Sequence, residues 1–116
     1  MSYAFNRRDK AEPRYLAIYK QHGGTWQFLQ RDDGADILLF CNFDLRIVEH
    51  KSSPRWELTE VEQGLRTKCL LAGVPYEIVD SEYAARVLIL DMRGEHMKDL
   101  SQFQETDNAV SAIRSA

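Results

Sequence analysis

Cysteine is scarce in this chain. Cys41 and Cys69 are the only two, far apart and without a CxxC or CxxH neighbour, which excludes a disulfide framework and a cysteine-rich zinc site. Both lie in apolar stretches and read as reduced thiols in or near the core. Long apolar runs are lacking as well: Ile37 to Cys41, and Val87 to Leu90 behind Ala84 and Ala85, fall far short of the ~20 residues that a membrane span needs. The N-terminal MSYAFNRRDKAEP has basic residues but no apolar core before a small-residue cleavage site. It does not read as a secretory signal, and a cytoplasmic location is expected. No internal repeat and no low-complexity segment is present.

What is there suits one folded domain. The chain has 116 residues, 44% of them hydrophobic, an ordinary globular fraction, and two cores would need about twice this length. The net charge of −3 hides an asymmetry. Residues 1–31 hold Arg7, Arg8, Lys10, Arg14, Lys20 and Arg31 against Asp9 and Glu12, a surplus of four, so the remainder sums to −7. A basic arm beside an acidic body suits a protein that binds phosphate and whose acidic groups bind metal.

The pattern along the chain predicts the order αβββαβα. Asp9 as a cap, Glu12 three residues on and Pro13 in the first turn open a helix over about 12–22, which His22-Gly23-Gly24 closes. Residues 25–30 are rich in aromatic and β-favouring types and read as a strand ended by Asp32-Asp33-Gly34. Ile37 to Cys41 is a continuous apolar run, expected as a central strand covered on both faces. A short turn at 42–44 returns Leu45 to Lys51 as its hairpin partner. Thr59 with Glu62 in capping-box register opens a second helix, with Val61, Leu65 and Cys69 as its buried stripe, Leu58 and Ala72 at its ends and Gly73 closing it. Residues 75–79 form a short strand, and Ser81 caps a helix to about Asp91. After Gly94 the sequence turns polar, with amphipathic turns around Met97, Leu100 and Phe103 and around Val110 and Ile113.

The chemistry-bearing segment is Gly34-Ala35-Asp36-Ile37-Leu38-Leu39 followed by Val48-Glu49-His50-Lys51. Alternation along a strand sends Glu49 and Lys51 to one face and Val48 and His50 to the other. Asp36 opens the neighbouring antiparallel strand, so one sheet edge gathers two carboxylates and an ammonium. Magnesium takes oxygen ligands, commonly one or two carboxylates with water and phosphate in the remaining positions. A lysine there can hold or deprotonate the attacking water and offset charge on a scissile phosphate.

This pattern resembles the PD-(D/E)XK nuclease superfamily, with Asp36 as the aspartate and Glu49-His50-Lys51 as the E-x-K. Arg7-Arg8-Asp9-Lys10-Ala11-Glu12, the glycine pair, Leu58-Thr59-x-x-Glu62-Gln63 and Gly73-x-x-Tyr76-x-x-Val79-x-Ser81 are similar to the VRR-NUC and phage Holliday-junction-resolvase-like branch. The match runs from about residue 7 to 90. The resemblance implies a restriction-endonuclease-like α/β core over residues 1–92, with a basic N-terminal arm and a polar extension at 93–116. It implies a magnesium-dependent DNA endonuclease, manganese being able to substitute, acting as a homodimer on DNA, with branched or four-way junction DNA as a candidate substrate, in a bacterial or phage-infected cell. Asp36 and Glu49 would hold the metal with Glu12 as a third ligand, Lys51 and Gln63 would complete the catalytic set, and Arg7, Arg8 and Lys10 would contact phosphate.

The chain departs from the family pattern in three places. Ala35 stands where a proline usually precedes the aspartate. His50 replaces the usual apolar residue between Glu and Lys, and is expected as a hydrogen-bonded residue on the helix-covered face. Glu12 precedes Pro13, which disfavours helical dihedrals and offers its carboxylate the alternative of capping the helix mouth. Trp26 and Trp56 read as packing residues, and His22 as a helix-terminal group. Two rival readings stand beside the nuclease. One is a non-cleaving subunit of the same fold that binds DNA or protein. The other is a small protein-interaction module, which would have no reason to bind magnesium at the Asp36–Glu49 edge.

Overall fold

Pro13 fixes the first turn of helix α1 (Glu12–Gln21), where its missing N–H costs nothing. The cap position falls on Ala11, without a side-chain hydrogen bond, and not on Asp9 as the sequence suggests. The structure, a computed structural model, describes residues 10–94. After α1 come β1 (Thr25–Phe28), a 3-10 turn (Arg31–Asp33), β2 (Ile37–Cys41), β3 (Asp44–His50), α2 (Glu60–Ala72), β4 (Tyr76–Val79) and α3 (Glu82–Arg93). The αβββαβα order is therefore present, and the two later helices carry the caps read from the sequence: Thr59 accepts from the Glu62 N–H and Ser81 from the Ala84 N–H. The amphipathic turns beyond Gly94 lie outside the described residues.

The four strands form one mixed sheet in the order β1-β2-β3-β4. Both β1–β2 and β2–β3 are antiparallel, whereas β3–β4 is parallel and is crossed over by α2. A two-residue turn, Asn42-Phe43, joins β2 to β3 with positive φ at both positions (52° and 64°), the backbone that matches strand twist in a tight hairpin. The turn pins the register, pairing Ile37 with Val48 and Phe40 with Leu45. The Asn42 amide also donates to the Met92 and Arg93 carbonyls, which satisfies the end of α3.

One sheet face is packed and the other is thinly covered. Ile37, Leu39, Val48 and Val79 are fully buried under α1 and α3, together with Tyr15, Tyr19 and Ile89. The two helices pack on each other and are joined at the surface by Arg14 and Glu82. On the other face the expectation of cover is not met: burial along β2 alternates, and Phe40 is 40% exposed. The predicted stripe of α2 is also thinner, since Cys69 alone is buried while Val61 and Ala72 are exposed. The cause is geometric. A single helix lies over this face, meeting the 3-10 turn and β4, so the far end of the sheet stays open.

At that far end a half-buried Arg46 guanidinium binds Asp44, Glu77 and Asp91 at 2.8–3.1 Å, tying β3 to β4 and α3. Among the described residues no helix is long and apolar enough to cross a membrane.

Candidate functional site

Asp36 stands just before β2 and is held by its backbone. Its N–H donates to the Val48 carbonyl and its carbonyl accepts from Leu29, both at 2.9 Å. The preceding Gly34 has φ +97°, and a Cβ there would meet the Leu65 Cβ at 2.8 Å and the Val61 carbonyl at 2.9 Å. Close approach of α2 therefore requires glycine at this position. The Tyr76 hydroxyl donates to the Gly34 carbonyl at 2.8 Å. With the loop fixed from three sides, the Asp36 carboxylate accepts the His50 backbone N–H at 2.6 Å.

Alternation at the end of β3 then builds two different environments around Asp36. On the α2 side, the Lys51 ammonium lies 3.3 Å from Glu49 Oε2 and 3.0 Å from Glu62 Oε1. Burial, then the nearby Asp36 and Glu62 charges, push Glu49 up to about 9, with Lys51 offsetting only part of this. Glu62 moves the other way: burial would raise it, but the Thr59 N–H and the Lys51 ammonium outweigh this and hold it below the ordinary carboxylate value. For Lys51, burial acts downward and is outweighed by Glu62 and Glu49, so its pKa is raised. Its backbone carbonyl accepts the Tyr15 hydroxyl at 2.6 Å.

On the α1 side the imidazole of His50 is buried against two tyrosines of that helix. Its Nδ1 lies 2.6 Å from Glu12 Oε2 and its Nε2 lies 2.9 Å from the Tyr19 hydroxyl. The ring stacks on Tyr19 and tilts against Tyr15. If Nδ1–H donates to Glu12, Nε2 is free to accept from Tyr19. Burial, then the Glu12 charge, raise the Tyr19 phenol, which keeps it a donor. His50 Nδ1 is also 4.0 Å from Asp36 Oδ2. Glu12, Asp36 and His50 each present a ligand atom within 4.8 Å of the others.

The structure thus gathers Glu12, Asp36, Glu49 and Lys51 at one end of the sheet but divides them by face: Glu12 meets His50, whereas Glu49 meets Lys51 and Glu62. Gln63 is not drawn into either set. Its amide donates to the Leu58 carbonyl at 3.3 Å, and it lines a shallow pocket with Trp56, Leu58, Arg66 and Thr67. Trp56 is itself half-buried and donates to Asp80. Lys10 is exposed at the start of the described chain, and Arg7 and Arg8 lie outside the described residues.

Sequence reasoning missed two contributors. Glu62 was legible only as a capping residue, although the same Oε1 that accepts from the Thr59 N–H also meets Lys51. Tyr19 was legible only as one of the apolar positions of α1, and the signal for its polar role was its register, one helical turn beyond Tyr15 and seven residues after Glu12. Comparison with protein-family models, with curated proteins and with solved structures found no match.

Proposed function

We propose that this chain is a magnesium-dependent DNA endonuclease built on a PD-(D/E)XK-type, restriction-endonuclease-like core. The observation that carries the reading is the Lys51 ammonium set between Glu49 and Glu62 beside Asp36, at the end of adjacent strands. The donor set fits a hard cation: Asp36 and Glu49 supply oxygen, and their crowding is the kind of like-charge strain that a divalent ion relieves. A bound ion there would supply Lewis-acid polarisation of a phosphoryl oxygen and a more acidic water.

The chain's own residues supply the rest. Asp36 and Glu49 would hold the ion at the sheet edge, and with it the phosphate that the ion polarises. Lys51, held by Glu62 and anchored through its backbone to Tyr15 and Val79, orients the attacking water and offsets charge on the phosphate. Arg7, Arg8 and Lys10 supply positive charge for contact with the DNA backbone. A surface this small favours selection by DNA shape, such as a branched or four-way junction, over reading of base sequence.

The test is cleavage of linear, flapped and four-way DNA by the purified chain, with magnesium and with chelator, for the wild type and for Asp36→Ala, Glu49→Ala and Lys51→Ala. The carboxylate variants are expected to lose cutting. Lys51→Ala is expected to keep magnesium binding and lose about 10²–10⁴-fold in single-turnover rate. Wild-type rates in all three variants, or no cutting of any DNA with magnesium present, would reject the enzyme and leave a binding module.

A further inference from the structure

The buried side of Asp36 carries a second donor set, one that the nuclease reading does not use as a unit. Glu49 and Lys51 leave β3 toward α2, while His50 leaves it toward α1 and meets Glu12 there. From these placements we infer that Glu12, Asp36 and His50 form a distinct cation site, selective for a first-row divalent transition ion over Mg²⁺, for which Mn²⁺ serves as the paramagnetic probe. Asp36 is the carboxylate shared by the two sides of the strand end.

Three observations support the site. The first is spacing: Nδ1 of His50 lies 2.6 Å from Glu12 Oε2 and 4.0 Å from Asp36 Oδ2, and all three atoms lie within 4.8 Å of one another. Ligands at about 2.0–2.2 Å from one ion stand about 3 Å apart when adjacent and about 4.2 Å when opposite. Shifts of a few tenths of an ångström convert one set into the other. The second is burial: the His50 and Glu12 side chains are 0% and 3% exposed, whereas Asp36 is 21% exposed. An ion would enter past Asp36 and exchange water for a dry, preformed pair.

The third is what stands behind the imidazole. Metal-bound histidine usually places its other ring nitrogen against an oxygen partner that fixes the ring, and His50 Nε2 has the Tyr19 hydroxyl at 2.9 Å. Binding at Nδ1 moves the ring proton to Nε2, which then donates to the Tyr19 oxygen. The ring needs no rotation, because it already packs against Tyr15 and meets the Tyr19 hydroxyl through the nitrogen that the ion leaves free. A nitrogen donor is what separates this site from the all-oxygen edge around Glu49, since imidazole favours the first-row transition ions, the later ones most and Mn²⁺ least, and does little for magnesium.

The site stands on ion binding alone, independently of DNA cleavage, and is tested with Mn²⁺ as the probe. Electron spin-echo spectroscopy of Mn²⁺ on the wild-type chain should show coupling to one histidine nitrogen that changes on ¹⁵N-histidine labelling. In calorimetry, His50→Gln and Glu12→Gln should each weaken Mn²⁺ by at least about 100-fold, because even outer partners of metal ligands cost 10–100-fold. Tyr19→Phe should cost less than either, and Glu49→Gln should leave the nitrogen-coupled ion in place. Absence of histidine coupling on bound Mn²⁺, or no Mn²⁺ binding to the wild type, overturns the site even if a variant fails to fold. Loss of Mn²⁺ in Glu49→Gln but not in His50→Gln also overturns it, while leaving the Asp36–Glu49 edge and the nuclease reading intact.

Discussion

Gly34→Ala measures how tightly α2 is seated on the loop that presents Asp36. Gly34 and Gly73 both adopt positive φ, +97° and +73°, so alanine pays a left-handed backbone cost of about 1–2 kcal/mol at either one. They differ in surroundings. Nothing lies within 4 Å of a Cβ built on Gly73, whereas one on Gly34 meets the Leu65 Cβ at 2.8 Å and the Val61 carbonyl at 2.9 Å. Carbon contacts settle at about 3.5–4.0 Å. Neither neighbour is the free end of a side chain, so relief requires α2 to withdraw as a unit. Overpacking of this kind costs typically about 1–3 kcal/mol. The expected loss is therefore about 2–5 kcal/mol for Gly34→Ala against about 1–2 kcal/mol for Gly73→Ala. At about 4–8 °C per kcal/mol for a domain of this size, thermal and urea melting will resolve the two. Leu65→Ala should not rescue Gly34→Ala, because the clashing atom is the Cβ that alanine keeps. Equal losses at the two glycines would refute the close approach and, with it, the account of how Asp36 is held.

Two further perturbations test the two ends of β3. Folding raises the Glu49 pKa from 4.5 to about 9, under pressure from burial, Asp36 and Glu62 against the partial relief of Lys51. A raised carboxyl means that the folded state holds the proton more tightly, so this contribution is greatest below pH 4.5 and is progressively lost as pH rises toward 9. Glu49→Gln removes it, and in metal-free buffer the variant should gain on the wild type steadily between pH 5 and 8; a pH-independent difference in urea midpoints would contradict the crowding. At the other end, Arg46→Met strands the carboxylates of Asp44, Glu77 and Asp91. Those groups are partly solvated, so the loss should be about 2–3 kcal/mol, below the cost of breaking a fully buried pair. Cleavage per folded molecule should be unchanged, and a stability loss under ~1 kcal/mol by urea denaturation would show that the cluster is ornamental to the fold.

The elements were legible where local chemistry is decisive. Thr59 with Glu62, Ser81, Gly73 and the five apolar residues of β2 give their boundaries almost to the residue. What misled was inference from apolarity to cover. Ile37 to Cys41 reads as doubly buried because every residue is apolar, yet nothing in a strand reports how far a helix reaches across its second face, and Phe40 stays open. The same limit applies to α2, whose Val61 has the spacing of a core residue but stays exposed. The candidate site was legible as a spacing of Asp36 from Glu49 and Lys51. Its division into two faces was legible only in part, because alternation places His50 opposite Glu49 but cannot say that Glu12 and Tyr19 of a distant helix arrive to meet it.

One register decides which groups share a face with which. Strand alternation has a period of two, so a slip of one residue between β2 and β3 would turn His50 outward and send Glu49 and Lys51 into the tyrosine-lined core. The two-residue Asn42-Phe43 turn at the far end prevents this, because its positive φ angles leave no slack in the hairpin. The site end adds its own lock. Asp36 donates its N–H to Val48 and accepts the His50 N–H on its side chain, so the carboxylate that serves both faces also measures the register that separates them. Deep burial at Ile37, Leu39, Val48 and Val79 then penalises any slip by exposing the core. Packing on one face of the sheet is thus what holds an electrostatically costly carboxylate cluster in place on the other.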